Sequence, residues 1–208
     1  MQNKHLWLDL VKKFGPIIAA IILMFFVTRV HADYEAGLDA LFKGDYQTAV
    51  REFTTAADAG LDVAQYNLAI LYYLGRGVDQ DMERAFELTQ SAARQGHLGA
   101  QANLGSLYLD GTGVESNIDL GIEWFSSAGR SGHADSAVTL ANMYFDGSPM
   151  ERDLVLAHSW ASMAKLHEHE EADALLSKIE RRMAADQMSQ ARRLFARWQI
   201  EPNTLPSP

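Results

Sequence analysis

The chain has 208 residues, a formal net charge of −9 and no cysteine, which excludes disulfides, thiolate metal sites and cysteine nucleophiles. Residues 33–208 contain 14 basic and 26 acidic residues, and this negative charge would repel a phosphate backbone, so nucleic acid is not expected as a partner. Hydrophobic residues make up 48% of the chain, a fraction that favours a folded protein over a disordered one.

Residues 1–32 have the layout of a targeting segment. Lysines precede an uninterrupted apolar run over residues 16–27, and Val30 and Ala32 occupy positions −3 and −1 before Asp33. This order is typical of a signal peptide cleaved after Ala32. The alternative is an uncleaved membrane anchor with its lysines inside the cell. In a bacterium either form is expected to place the rest of the chain in the periplasm, free or anchored to the inner membrane, and membrane association through this segment is one expectation.

The sequence after residue 60 repeats with a period of 36 residues. A fixed period of this length indicates one supersecondary unit stacked many times rather than a single closed core. The repeating positions are Gly60, Gly96 and Gly132; Leu68, Leu104 and Leu140; Tyr72, Tyr108 and Tyr144; and Gly75, Gly111 and Gly147.

Each unit predicts a pair of helices. In the unit over 61–96, apolar residues recur at helical spacing before Gly75, and glycine suits the left-handed conformation that often ends a helix. Asp81 then stands where a second helix needs an N-cap, and Gly96 ends that helix. Asn117 and Asp153 occupy the same cap position in the next two units.

Four units are expected, the first with a turn four residues shorter than the others. Their predicted bounds are 35–60, 61–96, 97–132 and 133–168. The period then stops, and residues 169–200 are predicted to form capping helices that cover the open apolar end of the array. Residues 201–208 (EPNTLPSP) are predicted to be a disordered tail.

The repeated pattern A-x-x-x-L-(A/G)-x-x-Y-x-x-G-x-G-V-x-x-D-x-x-x-A resembles the Sel1-like repeat family, which is related to tetratricopeptide repeats. The resemblance covers residues 35–168 and implies an all-α, right-handed solenoid that scaffolds other proteins, often in bacterial envelopes. No cofactor is expected. The unit at 61–96 carries the pattern through Ala64, Leu68, Ala69, Tyr72, Gly75, Gly77, Val78, Asp81 and Ala85.

The first helix of each unit is expected to line the concave side of such an array. Its positions outside the packing ladder vary between units, as a binding surface would. A polar row (Asn67, Asn103, Thr139) is expected to hydrogen-bond a peptide backbone, and an apolar row (Tyr73, Leu109, Phe145) to bury side chains. The alternatives are that the aromatic rings pack against neighbouring helices and that the asparagines are solvated. The predicted partner-binding residues are Tyr66, Asn67, Ile70, Tyr73, Asn103, Ser106, Leu109, Thr139, Asn142 and Phe145.

The favoured function is therefore a non-catalytic scaffold or adaptor that binds a protein or peptide in the groove of an exported solenoid. One alternative is a metal-dependent envelope enzyme that uses His158, His167 and His169. Since His167 and His169 are two residues apart, they do not share a helical face, and no metal site is expected. The other alternative is a structural subunit of an envelope complex.

Overall fold

The computed structural model describes residue 24, residues 28–201, and residues 203 and 206. Within these residues all regular secondary structure is helical, which confirms the predicted all-α repeat solenoid. Helix α1 covers residues 28–42 of the described part. The later helices are α2 (Tyr46–Asp58), α3 (Asp62–Leu74), α4 (Met82–Arg94), α5 (Leu98–Asp110), α6 (Ile118–Arg130), α7 (Ala134–Asp146), α8 (Leu154–Leu166), α9 (Ala172–Glu180) and α10 (Ala185–Trp198).

The helix ends follow from residues that the sequence places at the 36-residue step. The first helices α3, α5 and α7 each end at a glycine in the left-handed conformation, as predicted, at Gly75, Gly111 and Gly147. The second helices α4, α6 and α8 begin at the predicted caps, whose side-chain oxygens accept a backbone N–H from the first turn: Asp81, Asn117 and Asp153. Each unit is thus bounded by local backbone chemistry.

The helices stack in chain order. Within a unit, α3 packs on α4, α5 on α6, and α7 on α8, and each second helix then packs on the first helix of the next unit. Helix α9 continues this order by packing on α8. Helix α10 departs from it, because it also packs on α8, where Trp198 lies with its ring centroid 4.4 Å from that of Trp160.

The core is a ladder of small and branched apolar side chains between the stacked helices. Leu68, Leu104 and Leu140 are at most 2% exposed, so one equivalent leucine is buried in each unit. Two buried glutamines also join neighbouring units: the Nε2 of Gln65 donates to the carbonyl of Ala57, and the Nε2 of Gln101 to that of Ala93, each at 3.3 Å. These bonds satisfy amide groups that would otherwise be costly to bury.

Helix α1 passes through the predicted cleavage site, since residues 28–42 are helical on both sides of Ala32. Val30 is buried in the core cluster that contains Phe53, and Tyr34 lies 5.7 Å from the Phe53 ring. The predicted apolar run over 16–27 lies outside the described residues except for Met24. Among the helices that are described, none has both the length and the apolar character needed to cross a bilayer.

Candidate binding surface

The first helices α3, α5 and α7 form one side of the array, called here the first-helix face. Side chains connect these helices directly. The Nδ2 of Asn103 on α5 donates to the hydroxyl of Tyr66 on α3 at 3.2 Å, and the Tyr66 ring lies 4.4 Å from the imidazole of His97. In the same way, Asn67 on α3 donates to the hydroxyl of Tyr34 on α1 at 3.2 Å. Each asparagine therefore joins its helix to the first helix of the preceding unit.

The predicted polar row is thus engaged within the protein rather than simply solvated. Thr139 is also hydrogen-bonded within the protein, but inside its own helix, since its hydroxyl donates to the carbonyl of Asp135 on α7 at 2.8 Å. A carboxamide oxygen has two lone pairs and remains an acceptor after its NH₂ group has donated. Asn67 and Asn103 are therefore available to an incoming N–H group, but they have a structural role as well.

The residues of the predicted apolar row differ in how exposed their side chains are. Tyr73 is 44% exposed, whereas Phe145 is 2% exposed. The ammonium of Lys178 lies 4.4 Å from the centre of the Phe145 ring, and the guanidinium of Arg182 lies 5.1 Å from it. The Phe145 ring therefore packs against the α9 region, as the alternative interpretation held. Leu109 is half-buried and lies against Gly121 of α6, and Asn142 is half-buried on α7.

A cavity of about 250 Å³ opens between α3, α4 and α5. Four of the predicted binding residues line it, namely Ile70, Tyr73, Asn103 and Ser106. Its remaining apolar wall comes from Ala69, Ala85 and Leu107, and Asp110 and Thr112 add polar groups. The structure therefore brings four of the ten predicted residues together at one cavity, and the other six lie elsewhere on or between the helices.

The cavity results from the residues at which the first and second helix of this unit contact each other. In the following unit Gly105 faces Phe125, and a Cβ added at Gly105 would lie 2.8 Å from the Phe125 ring. The residues one period earlier are Ala69 and Thr89, and both line the cavity. A glycine and a phenylalanine are thus replaced by an alanine and a threonine, and the side-chain volume lost at Thr89 is only partly regained at Ala69.

Thr89 lines the cavity but is not among the residues predicted from the sequence. The available signal was the series Phe53, Thr89, Phe125 and Ala161, which occupies one position of the second helix at steps of 36 residues. A change from phenylalanine to threonine in a packing ladder indicates lost volume. Asp110, at the end of α5, was also missed, because acidic residues are frequent on exposed helix surfaces.

Two of the three histidines considered as metal ligands are engaged with different carboxylates. The Nε2 of His158 lies 3.3 Å from a carboxylate oxygen of Glu180, and that of His169 lies 3.0 Å from one of Asp135. His167 ends α8. Among the residues described by the structure, no group of three or more histidine or acidic side chains is arranged to hold a metal ion.

A stack of two-helix units with an open face of first helices defines a helical-repeat protein of the α-solenoid class. The particular family follows from the repeat itself. The family model of the Sel1 repeat matches residues 62–97, 99–133 and 134–169, and the chain belongs to the Sel1 repeat family. Proteins built from Sel1 repeats generally mediate protein–protein interactions, and their scaffold is typically non-catalytic.

Solved structures of Sel1 repeat proteins resemble the chain. A Sel1 repeat protein from Oxalobacter formigenes matches with a TM-score of 0.66 and 26% identity, covering 82% of this chain and 54% of its own. A protective antigen present in uropathogenic Escherichia coli strains, c5321, which displays an SLR fold, matches with a TM-score of 0.63 and 25% identity over 77% of this chain and 37% of its own. The chain thus spans about half or less of these relatives. No curated protein matched the sequence significantly.

Proposed function

We propose that this protein is a non-catalytic adaptor, exported to the bacterial envelope, that binds a polypeptide segment on its first-helix face. The observation that carries the proposal is the cavity between α3 and α5, with exposed Tyr73, Asn103 and Ser106 around it. The surrounding helices are fixed by core packing, so binding there requires little ordering of the protein. An extended or helical segment of another protein is the kind of ligand that a groove between helices accommodates.

Export is supported by the N-terminal order of charges and apolar residues, and the two forms of export differ in what happens to Val30. Cleavage after Ala32 would remove Val30, which is only 9% exposed, together with the helical residues that precede Asp33. Retention of the segment as an anchor would keep α1 whole. The N-terminus of the protein isolated from its own cells, read by mass spectrometry, distinguishes these forms, and protease accessibility in spheroplasts tests export itself.

The binding surface is tested by two matched substitutions. Ser106 and Thr55 are both exposed hydroxyl residues whose hydroxyls donate to the carbonyl four residues earlier, at 3.5 and 3.2 Å. Ser106 lies at the cavity on α5, whereas Thr55 lies on the second helix α2. Each is replaced by arginine in the full chain, and proteins that co-purify from its own cells are quantified.

We expect Ser106→Arg to lose the partner recovered with the wild type and Thr55→Arg to retain it, with both variants keeping wild-type helicity. The Ser106→Arg substitution places a long charged side chain over the cavity, whereas Thr55→Arg adds the same charge elsewhere. Equal recovery with the two variants would contradict a binding site on the first-helix face.

A further inference from the structure

We infer that the cavity between α3 and α5 receives one aromatic side chain of the bound polypeptide. A lysine or arginine next to this aromatic residue then forms an ion pair with Asp110. This inference rests on the proposed function and names the chemistry of the partner. It follows from the shape of the cavity, from what fills the equivalent space in neighbouring units, and from the charge at its edge.

The neighbouring units show what fits between these helices. Phe125 lies against Gly105, and Phe53 lies against Gly37, where an added Cβ would come within 2.5 Å of the ring. Phe53 and Phe125 are 0% and 6% exposed, so both rings are buried by the repeat itself. The unit with Thr89 has no ring of its own at this position, and the Ala69 methyl group takes up part of the space that the ring fills elsewhere. The rest of that space is open in the cavity, and an aromatic side chain from outside the chain can enter it from the first-helix face.

The size of the cavity agrees with a single ring. A protein cavity of roughly 150 Å³ lined by apolar side chains binds benzene. The cavity here is about 250 Å³, which accommodates one phenyl or phenol ring with its methylene group but not two rings. Ala69, Ala85 and Leu107 give it carbon-lined walls, and the hydrophobic effect favours transfer of an aromatic side chain from water to such walls.

The last unit does not offer a second site of this kind. Its residues at the paired positions are Ala141 and Ala161, which are small. Both belong to the core cluster that also contains the buried Phe145 and Ile179, so side chains of α7 and α9 already pack there. The α3–α5 cavity is therefore the place where the repeat leaves ring-sized space on the first-helix face in the described part of the chain.

The charge at the edge of the cavity selects a basic neighbour for the ring. Asp110 is exposed and lines the cavity, and among the described residues its carboxylate has no ion-pair or hydrogen-bond partner. Residues 33–208 carry 26 acidic against 14 basic residues, so the surrounding potential also favours a cation. A lysine or arginine next to the aromatic residue would be attracted both by the Asp110 carboxylate and by this negative potential.

The test uses the peptide acetyl-Gly-Phe-Arg-Gly-amide as probe and the full chain in detergent micelles. Binding is followed by the methyl NMR signals of Ala69, Ile70, Ala85 and Leu107. Peptides with Ala in place of Phe, or Glu in place of Arg, are the ligand controls. The protein control is the double variant Ala69→Gly/Thr89→Phe, which reproduces the Gly105–Phe125 pair and supplies the cavity with a ring from the chain itself.

We expect the Phe-Arg peptide to shift all four methyl signals and to bind at least about tenfold more tightly than the Ala peptide, since a buried phenylalanine side chain is worth that much or more. The filled double variant should lose binding while keeping wild-type helicity. The Asp110→Asn variant should bind the Phe-Arg peptide about twofold to fivefold more weakly, as expected for an exposed ion pair, and should lose the preference for Arg over Glu.

Equal binding of the Phe and Ala peptides, or unchanged binding by a folded double variant, would overturn the inference. So would concentration-dependent dimerisation of the wild type that the double variant lacks, because the cavity would then hold a second copy of the chain. These failures differ from failure of the proposed function. If the double variant still co-purifies with the cellular partner and Ser106→Arg does not, the partner binds the first-helix face without inserting an aromatic side chain into the cavity. The proposed function then holds, and the inference fails.

Discussion

Gly77 and Gly113 occupy equivalent turn positions, and both lie against the preceding unit. Both have positive φ, near 75° and 70°. A Cβ at Gly113 would overlap the carbonyl oxygen of Met82 at the start of α4, and one at Gly77 would overlap that of Tyr46 at the start of α2. Glycine is thus required at each of these positions for two reasons, the backbone conformation and the close approach between units.

Replacing Gly113 by alanine should therefore cost more stability than its φ angle alone explains. Gly96→Ala is the matched control, because Gly96 has φ near 94° and no atom within 4 Å of an added Cβ. We expect Gly96→Ala to cost about 1–2 kcal/mol and Gly113→Ala to cost clearly more, since the backbone of two units must separate. Urea unfolding of both variants measures this difference, and equal losses would show that the units do not meet at Gly113.

His97 and His133 cap α5 and α7 through Nδ1. The Nδ1 of His97 accepts the backbone N–H of Ala100 at 3.1 Å, which requires a neutral imidazole. Burial lowers the pKa of His97 below its ordinary value of 6.5, and the nearby charge of Asp62 opposes this only in part. The unfolded state therefore binds the proton more readily than the folded state does.

The stability that His97 contributes should be fully present above about pH 6.5 and should fall as the pH decreases from there through the lower folded-state pKa. His97→Asn keeps a cap acceptor but has no group that titrates. Urea midpoints of both proteins at pH 7.5 and pH 5.5 measure the effect, and the variant should lose less stability between them than the wild type. An equal or larger loss in the variant would contradict the assignment.

At the scale of elements, the first and second helices of a unit fit together through one pair of residues. The pair is glycine with phenylalanine in two units, and alanine with threonine in the unit that contains the cavity. Thr89→Phe alone should clash with the methyl group of Ala69 and destabilise the protein by about 1–3 kcal/mol, as overpacking does. Ala69→Gly alone should cost roughly 0.5–1 kcal/mol, because glycine weakens a helix interior.

The double variant should be more stable than the sum of these losses predicts, because glycine makes room for the ring. A double-mutant cycle measured by urea unfolding gives the coupling between the two positions. Contacting residues couple by about 0.5–3 kcal/mol, and we expect a favourable coupling in this range. If the stability losses of the two single variants simply add up in the double variant, the residues at positions 69 and 89 do not contact each other as Gly105 and Phe125 do in the structure.

The sequence predicts the helices well because their signals are local and repeated. Gly75 and Asp81, for example, determine a helix end and a helix start within a few residues. The sequence left open whether Phe145 is exposed or buried, since Lys178 and Arg182, which lie over its ring, come after the last repeat. The bonds from Asn67 and Asn103 to tyrosines more than 30 residues earlier depend on how units stack, which a period alone does not specify.

At the scale of the whole molecule, the array has an open middle and a covered end. Helices α9 and α10 both pack on α8, and residues after α10 reach back to the second helix of an earlier unit, where Arg130 donates to the carbonyl of Glu201 at 3.0 Å. Near α7, Lys178 and Arg182 lie over the buried Phe145 ring, so this residue of the predicted apolar row is covered. A partner on this face is accordingly expected to bind over α3 and α5, where Tyr73 is exposed.

The most direct measurement is site-specific photo-crosslinking in the cells that produce the protein. A photoreactive benzoyl-phenylalanine is placed at Tyr73, beside the cavity, or at Thr55, on the exposed side of α2. The account predicts that Tyr73 crosslinks to one partner protein and that this product disappears in the folded Ser106→Arg background, while Thr55 yields no such product. Crosslinking to that partner through Thr55 and not through Tyr73 would contradict it.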